Sequence, residues 1–247
     1  MPKFNEVMES RKVAGTHFGY TGTRLGDLTG ATEYTLVTIV LDESGSTAGF
    51  ASEMEKCVSE IVKACRYSPR CDNLMLRIVA FHTNYREVHG FKLLQSCNPD
   101  DYIGVYAGGG STALFDSACD AIEATKDYGK QLADNEFLVN ACVFVLTDGD
   151  DNASKFSAIQ VKEALAKCVS SEALESLVSV LIGVNITDTR IAQFLQNFHK
   201  TAEFTQFVEL KDASEKTLAK LAAFVSKSIS SQSQALGSGS MSQSLTF

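Results

Sequence analysis

The chain has 247 residues, with 22 Lys plus Arg against 30 Asp plus Glu, a formal net charge of −8. Apolar residues make up 45% of it and charged residues 21%, which excludes a disordered chain. The acidic balance argues against non-specific nucleic-acid binding, which needs a positive face.

No stretch approaches the ~18 apolar residues of a membrane span. The opening Met1-Pro2-Lys3-Phe4-Asn5-Glu6 is too polar for a signal peptide. Seven cysteines without a Cys-x-x-Cys pair indicate neither a disulfide framework nor a zinc ribbon. A reduced, cytoplasmic protein is expected.

Glycines 15, 19, 22, 26 and 30 interrupt any periodicity in residues 1–33, which predicts an irregular N-terminal arm. Tyr34 to Leu41 reads YTLVTIVL, apolar and β-branched throughout, as a strand buried on both faces does. Phe50, Met54, Cys57, Val58, Ile61, Val62 and Cys65 follow at steps of three and four, one face of a helix that ends before Pro69. Leu74 to Phe81 and Tyr85 to Phe91 are two strands separated by His82, Thr83 and Asn84, hence an antiparallel hairpin. Gly108-Gly109-Gly110-Ser111-Thr112 precedes a helix from Ala113 to Tyr128. Three strands remain, Val139 to Thr147, Leu177 to Val184 and Phe204 to Leu210. They alternate with helices over Phe156 to Val169, Asp188 to Phe198 and Ser214 to Ile229. Such alternation predicts an α/β, doubly wound fold: a mostly parallel sheet with one antiparallel edge strand and helices on both faces, over residues 34–230. Residues 231–247, rich in Ser and Gln, read as a flexible tail.

Open parallel sheets bind ligands at the carboxyl ends of their strands. After the first strand stands Asp42-Glu43-Ser44-Gly45-Ser46, where a sharp loop can converge two hydroxyls and a carboxylate. The glycine-rich turn delivers Thr112, and Thr147-Asp148-Gly149-Asp150-Asp151 follows the fourth strand. These hard oxygen groups suit Mg²⁺, Mn²⁺ or Ca²⁺.

The ordered set Asp42, Ser44, Ser46, Thr112 and Asp148 resembles the metal-ion-dependent adhesion site of the von Willebrand factor A family, over about Tyr34 to Ser230. The resemblance implies that family's six-stranded sheet. It also implies Ser44, Ser46 and Thr112 as direct ligands of Mg²⁺, with Asp42 and Asp148 acting through water or as outer carboxylates. The expected partner is a protein that supplies a Glu or Asp carboxylate to the ion, with no chemistry done on it. Stand-alone intracellular members of this build look like those of bacterial tellurium-resistance and stress clusters and of phages. Such members work beside MoxR-type ATPases, kinases or phosphatases.

Other residues carry weaker readings. Glu43, Asp150 and Asp151 read as solvated loop carboxylates that leave the rim negative, and Asp116 and Asp120 as a solvated helix face. His17, His82, His89 and His199 have no partner at metal-ligand spacing. Two alternatives stand beside the binding module. A phosphohydrolase of the haloacid-dehalogenase type would need an acid/base carboxylate two residues after Asp42, where Ser44 stands. An assembly protein would instead use the arm and the tail as its working parts.

Overall fold

A computed structural model describes residues 8–13, 19–28, 30–241 and 245–247. The six expected strands are present as β3 (Glu33–Asp42), β4 (Leu74–Phe81), β5 (Tyr85–Leu93), β6 (Leu138–Thr147), β7 (Ser176–Gly183) and β8 (Gln206–Glu209). Two more, β1 (Met8–Lys12) and β2 (Gly19–Thr23), lie within the segment expected to be irregular. The sheet therefore has eight strands, in the order β1-β2-β5-β4-β3-β6-β7-β8. The β4/β5 and β1/β2 pairs are antiparallel, and the rest are parallel. The antiparallel β5 is the edge of the six-stranded part, and β2 joins it through one pair, Gly22 with Phe91.

Five helices cover the two faces: α1 (Ala51–Arg66), α2 (Leu114–Ala133), α3 (Ala158–Ser170), α4 (Thr189–Ala202) and α5 (Glu215–Ser238). Helices α1 and α5 pack together on one face, and the buried side of α1 is Met54, Cys57, Val58, Ile61, Val62 and Cys65, the stripe its spacing predicts. Helices α2, α3 and α4 cover the other face. Each inner strand is apolar on both sides because each side meets a helix layer. All seven cysteines are free thiols; six are buried and Cys71 is partly so. No helix among the described residues is long and apolar enough to cross a membrane.

Gly19 and Gly22 of the N-terminal segment are contact residues. A Cβ on Gly22 would come within 2.8 Å of the Tyr128 ring, so β2 lies flush on α2. Tyr20 donates to Asp127 at 2.6 Å, Tyr128 donates to the Thr23 carbonyl at 2.9 Å, and Gly19 N–H donates to the Tyr85 hydroxyl at 3.2 Å.

At the other end of the chain, α5 runs past the expected boundary to Ser238. Two polar residues of that extension are not solvated. Gln232 and Ser233 are buried. The Gln232 carbonyl accepts from Asn140 at 2.7 Å, and Ser233 accepts from Arg70 at 2.9 Å. The closing residues return to the domain: the Phe247 ring stands edge-on to Phe224, and Leu245 packs beside the α1/α5 core.

Candidate metal centre

The site is assembled where β3 and β6, the two central parallel strands, reach their carboxyl ends. Asp42 closes β3, and its backbone is level with Phe81 of β4. Its side chain is 3% exposed and held at both oxygens. Ser44 N–H donates to Oδ1 at 2.8 Å, and the Thr147 hydroxyl donates to Oδ2 at 2.6 Å. Burial pushes the Asp42 carboxyl above its ordinary range, against the pull of these hydrogen bonds.

Beyond Asp42 the chain turns into a 3-10 segment, Gly45–Phe50, fixed at its start by Thr47, whose hydroxyl donates to the Ser44 carbonyl at 2.9 Å. That turn faces the Ser44 and Ser46 hydroxyls toward each other, 3.2 Å apart. Ser46 donates to Asp148 Oδ1 at 2.8 Å, so the first and third loops meet across the top of the sheet. Burial, with the Asp42 charge adding to it, raises the Asp148 carboxyl to about 6, while the Ser46 hydrogen bond pulls the other way.

Thr112 arrives from the second loop and is buried. Its N–H donates to the Asn152 side chain at 2.7 Å, and its carbonyl accepts from the N–H groups of Asn152 and Ala153 at 3.0 and 3.2 Å. The hydroxyl faces the third loop, 4.0 Å from where a Cβ on Gly149 would stand. Gly110 has φ +81° and presses on Thr83, where a Cβ would sit 2.7 Å from the hydroxyl oxygen. The glycine run is therefore a matter of positive φ and close approach, and no phosphate cradle is needed to account for it.

The donor set can be tested against a dication. In an octahedron with ligands at ~2.1 Å, neighbouring oxygens stand about 3.0 Å apart. The Ser44 and Ser46 hydroxyl oxygens, 3.2 Å apart, stand near that spacing, and Asp148 meets Ser46 through a 2.8 Å hydrogen bond, as an outer carboxylate would. Burial raises both carboxyls, with the Asp42 charge adding to the rise at Asp148, and such groups are ones that a nearby dication would return to the charged form. Among the described residues, no three His, Cys, Asp or Glu side chains are grouped to hold a metal ion. The family resemblance would give coordination to the hydroxyls of Ser44, Ser46 and Thr112, with Asp42 and Asp148 behind them. The residues fit a hard cation of Mg²⁺ type and not a soft one.

Several neighbours differ from the sequence reading. Glu43 is not a solvated rim acid: it is 4% exposed and paired with Arg86 at 2.6 Å. Asp150 is paired with Arg190 at 2.6 Å, and Asp151 accepts from Ser154 N–H at 3.3 Å, so the rim carries less free negative charge than its composition implies. Asp120 is not on a solvated face but fully buried, in an ion pair with Arg77 at 2.8 Å. Asp116 accepts from the N–H groups of Lys155 and Phe156 and so secures the far end of the third loop. The histidines hold no common site. His82 Nδ1 accepts from Thr83 N–H, His89 lies between the Gly90 carbonyl and the Tyr102 hydroxyl, and His199 stacks on Phe207. His17 lies outside the described residues. Thr147, which the sequence reading places among the loop oxygens without a role, holds Asp42, and Asn152, which it does not single out, holds Thr112.

No protein-family model matches the chain, and no curated protein matches it in sequence. Solved structures do. A point mutant of the PilB minor pilin of Streptococcus sanguinis superposes with a TM-score of 0.62 at 12% identity, over 89% of this chain and 66% of that one. A von Willebrand factor type A structure from Catenulispora acidiphila gives 0.57 at 16% identity, over 81% and 43%. The pilus adhesin SpaC of Lactobacillus rhamnosus GG gives 0.57 at 10%, over 87% and 32%. The fold is therefore von Willebrand factor A-like. This chain spans at most about two thirds of the length of these three chains.

Proposed function

We propose that the chain is a metal-ion-dependent protein-interaction module. Its partner is a protein that presents a Glu or Asp carboxylate to a divalent cation held by Ser44, Ser46, Thr112, Asp42 and Asp148. The observation that carries this reading is the convergence of loops 42–46 and 147–148 on Ser46, whose hydroxyl bonds to Asp148 and stands 3.2 Å from that of Ser44, near the spacing of neighbouring ligands on one octahedral ion. When bound, Mg²⁺ supplies a Lewis-acidic position that accepts one further anionic oxygen.

The chain's own residues set the character of that position. Neutral hydroxyls quench the ion's charge poorly, which leaves it electrophilic. The two carboxylates, held off by hydrogen bonds to Thr147, Ser44 and Ser46, supply charge balance. Pairing of Glu43 and Asp150 with arginines lowers the repulsion that an acidic partner would otherwise meet at the rim. The partner is bound and not transformed. Two residues after Asp42 stands the Ser44 hydroxyl, and a phosphohydrolase would need a carboxylate there. The setting of the reading is intracellular, in a bacterial or phage stress or assembly system.

The test is calorimetry on EDTA-stripped protein with Mg²⁺, Mn²⁺ and Ca²⁺, beside Asp148→Ala. One ion per chain, lost in the variant, is the expected result. A flat trace for the unmodified protein, unchanged by added acetate, would sink the proposal.

A further inference from the structure

The loop that delivers Thr112 is tied to the Asp42–Ser46 loop far more tightly than a connection needs to be. Residues 103–111 climb past the start of α1. Glu55 accepts there from the N–H groups of Gly104 and Tyr106, at 2.9 and 2.7 Å. The Tyr106 hydroxyl then reaches the Ser44 carbonyl at 3.1 Å and the Thr47 hydroxyl at 3.0 Å. Its ring lies so close over Gly108 that a Cβ there would be 2.0 Å from it. Gly109 N–H donates to the Glu43 carbonyl at 2.9 Å, and Gly45 N–H donates to the Gly110 carbonyl at 3.3 Å.

The Glu43 side chain completes the connection. Its Oε1 accepts from Arg86 at 2.6 Å and from Ala107 N–H at 3.3 Å, and Arg86 also donates to the Val105 carbonyl at 3.0 Å. Its Oε2 is buried and has no hydrogen-bond partner among the described residues. A residue needed only to fill space would be apolar here, because a half-satisfied buried carboxylate is costly.

From these contacts we infer that Glu43, Arg86 and Tyr106 are positioning residues for the metal centre. They brace the Ser44 and Thr112 loops against each other, so that the hydroxyls stand at ligand spacing before an ion arrives. The inference rests on the metal reading above. It adds three residues outside the Asp-x-Ser-x-Ser pattern, with a role in ion affinity. A cation of Mg²⁺ type tolerates little departure from octahedral geometry, so loosening this brace weakens binding while the ligands themselves remain. Changes in groups that orient metal ligands typically cost about 10–100-fold in affinity.

The experiment is Mn²⁺ titration of the full chain, with two variants that leave net charge unaltered: Tyr106→Phe, and the double variant Glu43→Ala with Arg86→Ala. Urea midpoints in EDTA are measured in parallel. The expected result is Mn²⁺ binding about tenfold weaker in Tyr106→Phe, and weaker still in the double variant, with the Tyr106→Phe midpoint in EDTA unchanged. Wild-type affinity in both variants would overturn the inference and leave the metal reading standing. Affinity losses that merely track loss of the metal-free fold in both would overturn it as well. A wild-type chain that binds no Mn²⁺ would overturn the metal reading and this inference together.

Discussion

At the scale of single residues, the side chains that matter most for stability are charged ones that composition places on the surface. Arg77 is wholly buried in β4, bonded to Glu87 and Asp120 at 2.8 Å each. Burial alone would lower its pKa, but the two acids more than reverse this and keep it charged. Arg77→Leu leaves two acids without their cation, and should cost about 3–5 kcal/mol in urea unfolding. His89 is the opposite case. Burial, with the Lys92 charge adding to it, lowers its pKa to about 3. The ordinary value is ~6.5, so the unfolded chain takes up the proton first as pH falls. The contribution of the neutral ring is complete above pH ~6.5 and is lost between there and pH ~3. Up to about 5 kcal/mol is involved. Urea midpoints between pH 7 and 4 should fall more steeply for the native chain than for His89→Asn. The meeting of Asp42, Ser44, Ser46 and Asp148 was legible in the sequence from the motif they resemble. The contacts of Thr147, Asn152, Glu43 and Arg86 were not, because their partners lie 40 to 105 residues away.

At the scale of elements, the segments that sequence patterning recovered are those with a helix layer on each side. The stripe of α1 and the apolar run of β3 report their surroundings directly. The two ends of the chain did not yield to the same reasoning, since their polar and glycine residues are used in contact. A Cβ on Gly90 would stand 1.9 Å from the Thr21 carbonyl oxygen. Gly90→Ala should therefore push β2 off β5 and cost about 1–3 kcal/mol. Hydrogen exchange would show protection lost at Thr21 and Gly22 and kept in β3 and β6. For α5, a stop after Ser230 removes the partner of the buried Asn140 side chain, and one of the partners of Arg70, which keeps Glu33. A cost of about 1–3 kcal/mol is expected from Asn140 alone. A stop after Ser238 removes the Phe247 contact with Phe224 and should cost only about 1 kcal/mol. Thermal or urea unfolding of the two truncations separates a built-in helix from a tail.

At the scale of the whole molecule, the sheet binds the two layers into one body and places the candidate centre over its middle strands. Strand and helix alternation made that architecture readable; the two outermost strands beyond β5, β2 and β1, were not, because β2 joins through a single residue pair. That late joining has a consequence for synthesis. Strand β2 is made early, yet its hydrogen-bond partners extend to Gln131 of α2. At 5–20 residues per second, the ~108 residues between Thr23 and Gln131 take roughly 5–20 s to appear. For most of that interval, until β5 has been made, β1 and β2 have only each other to pair with, exposing Tyr20 and the free edge of β2 to any chaperone or neighbouring chain. The first strands made must therefore wait for the middle of the chain before they can find their place.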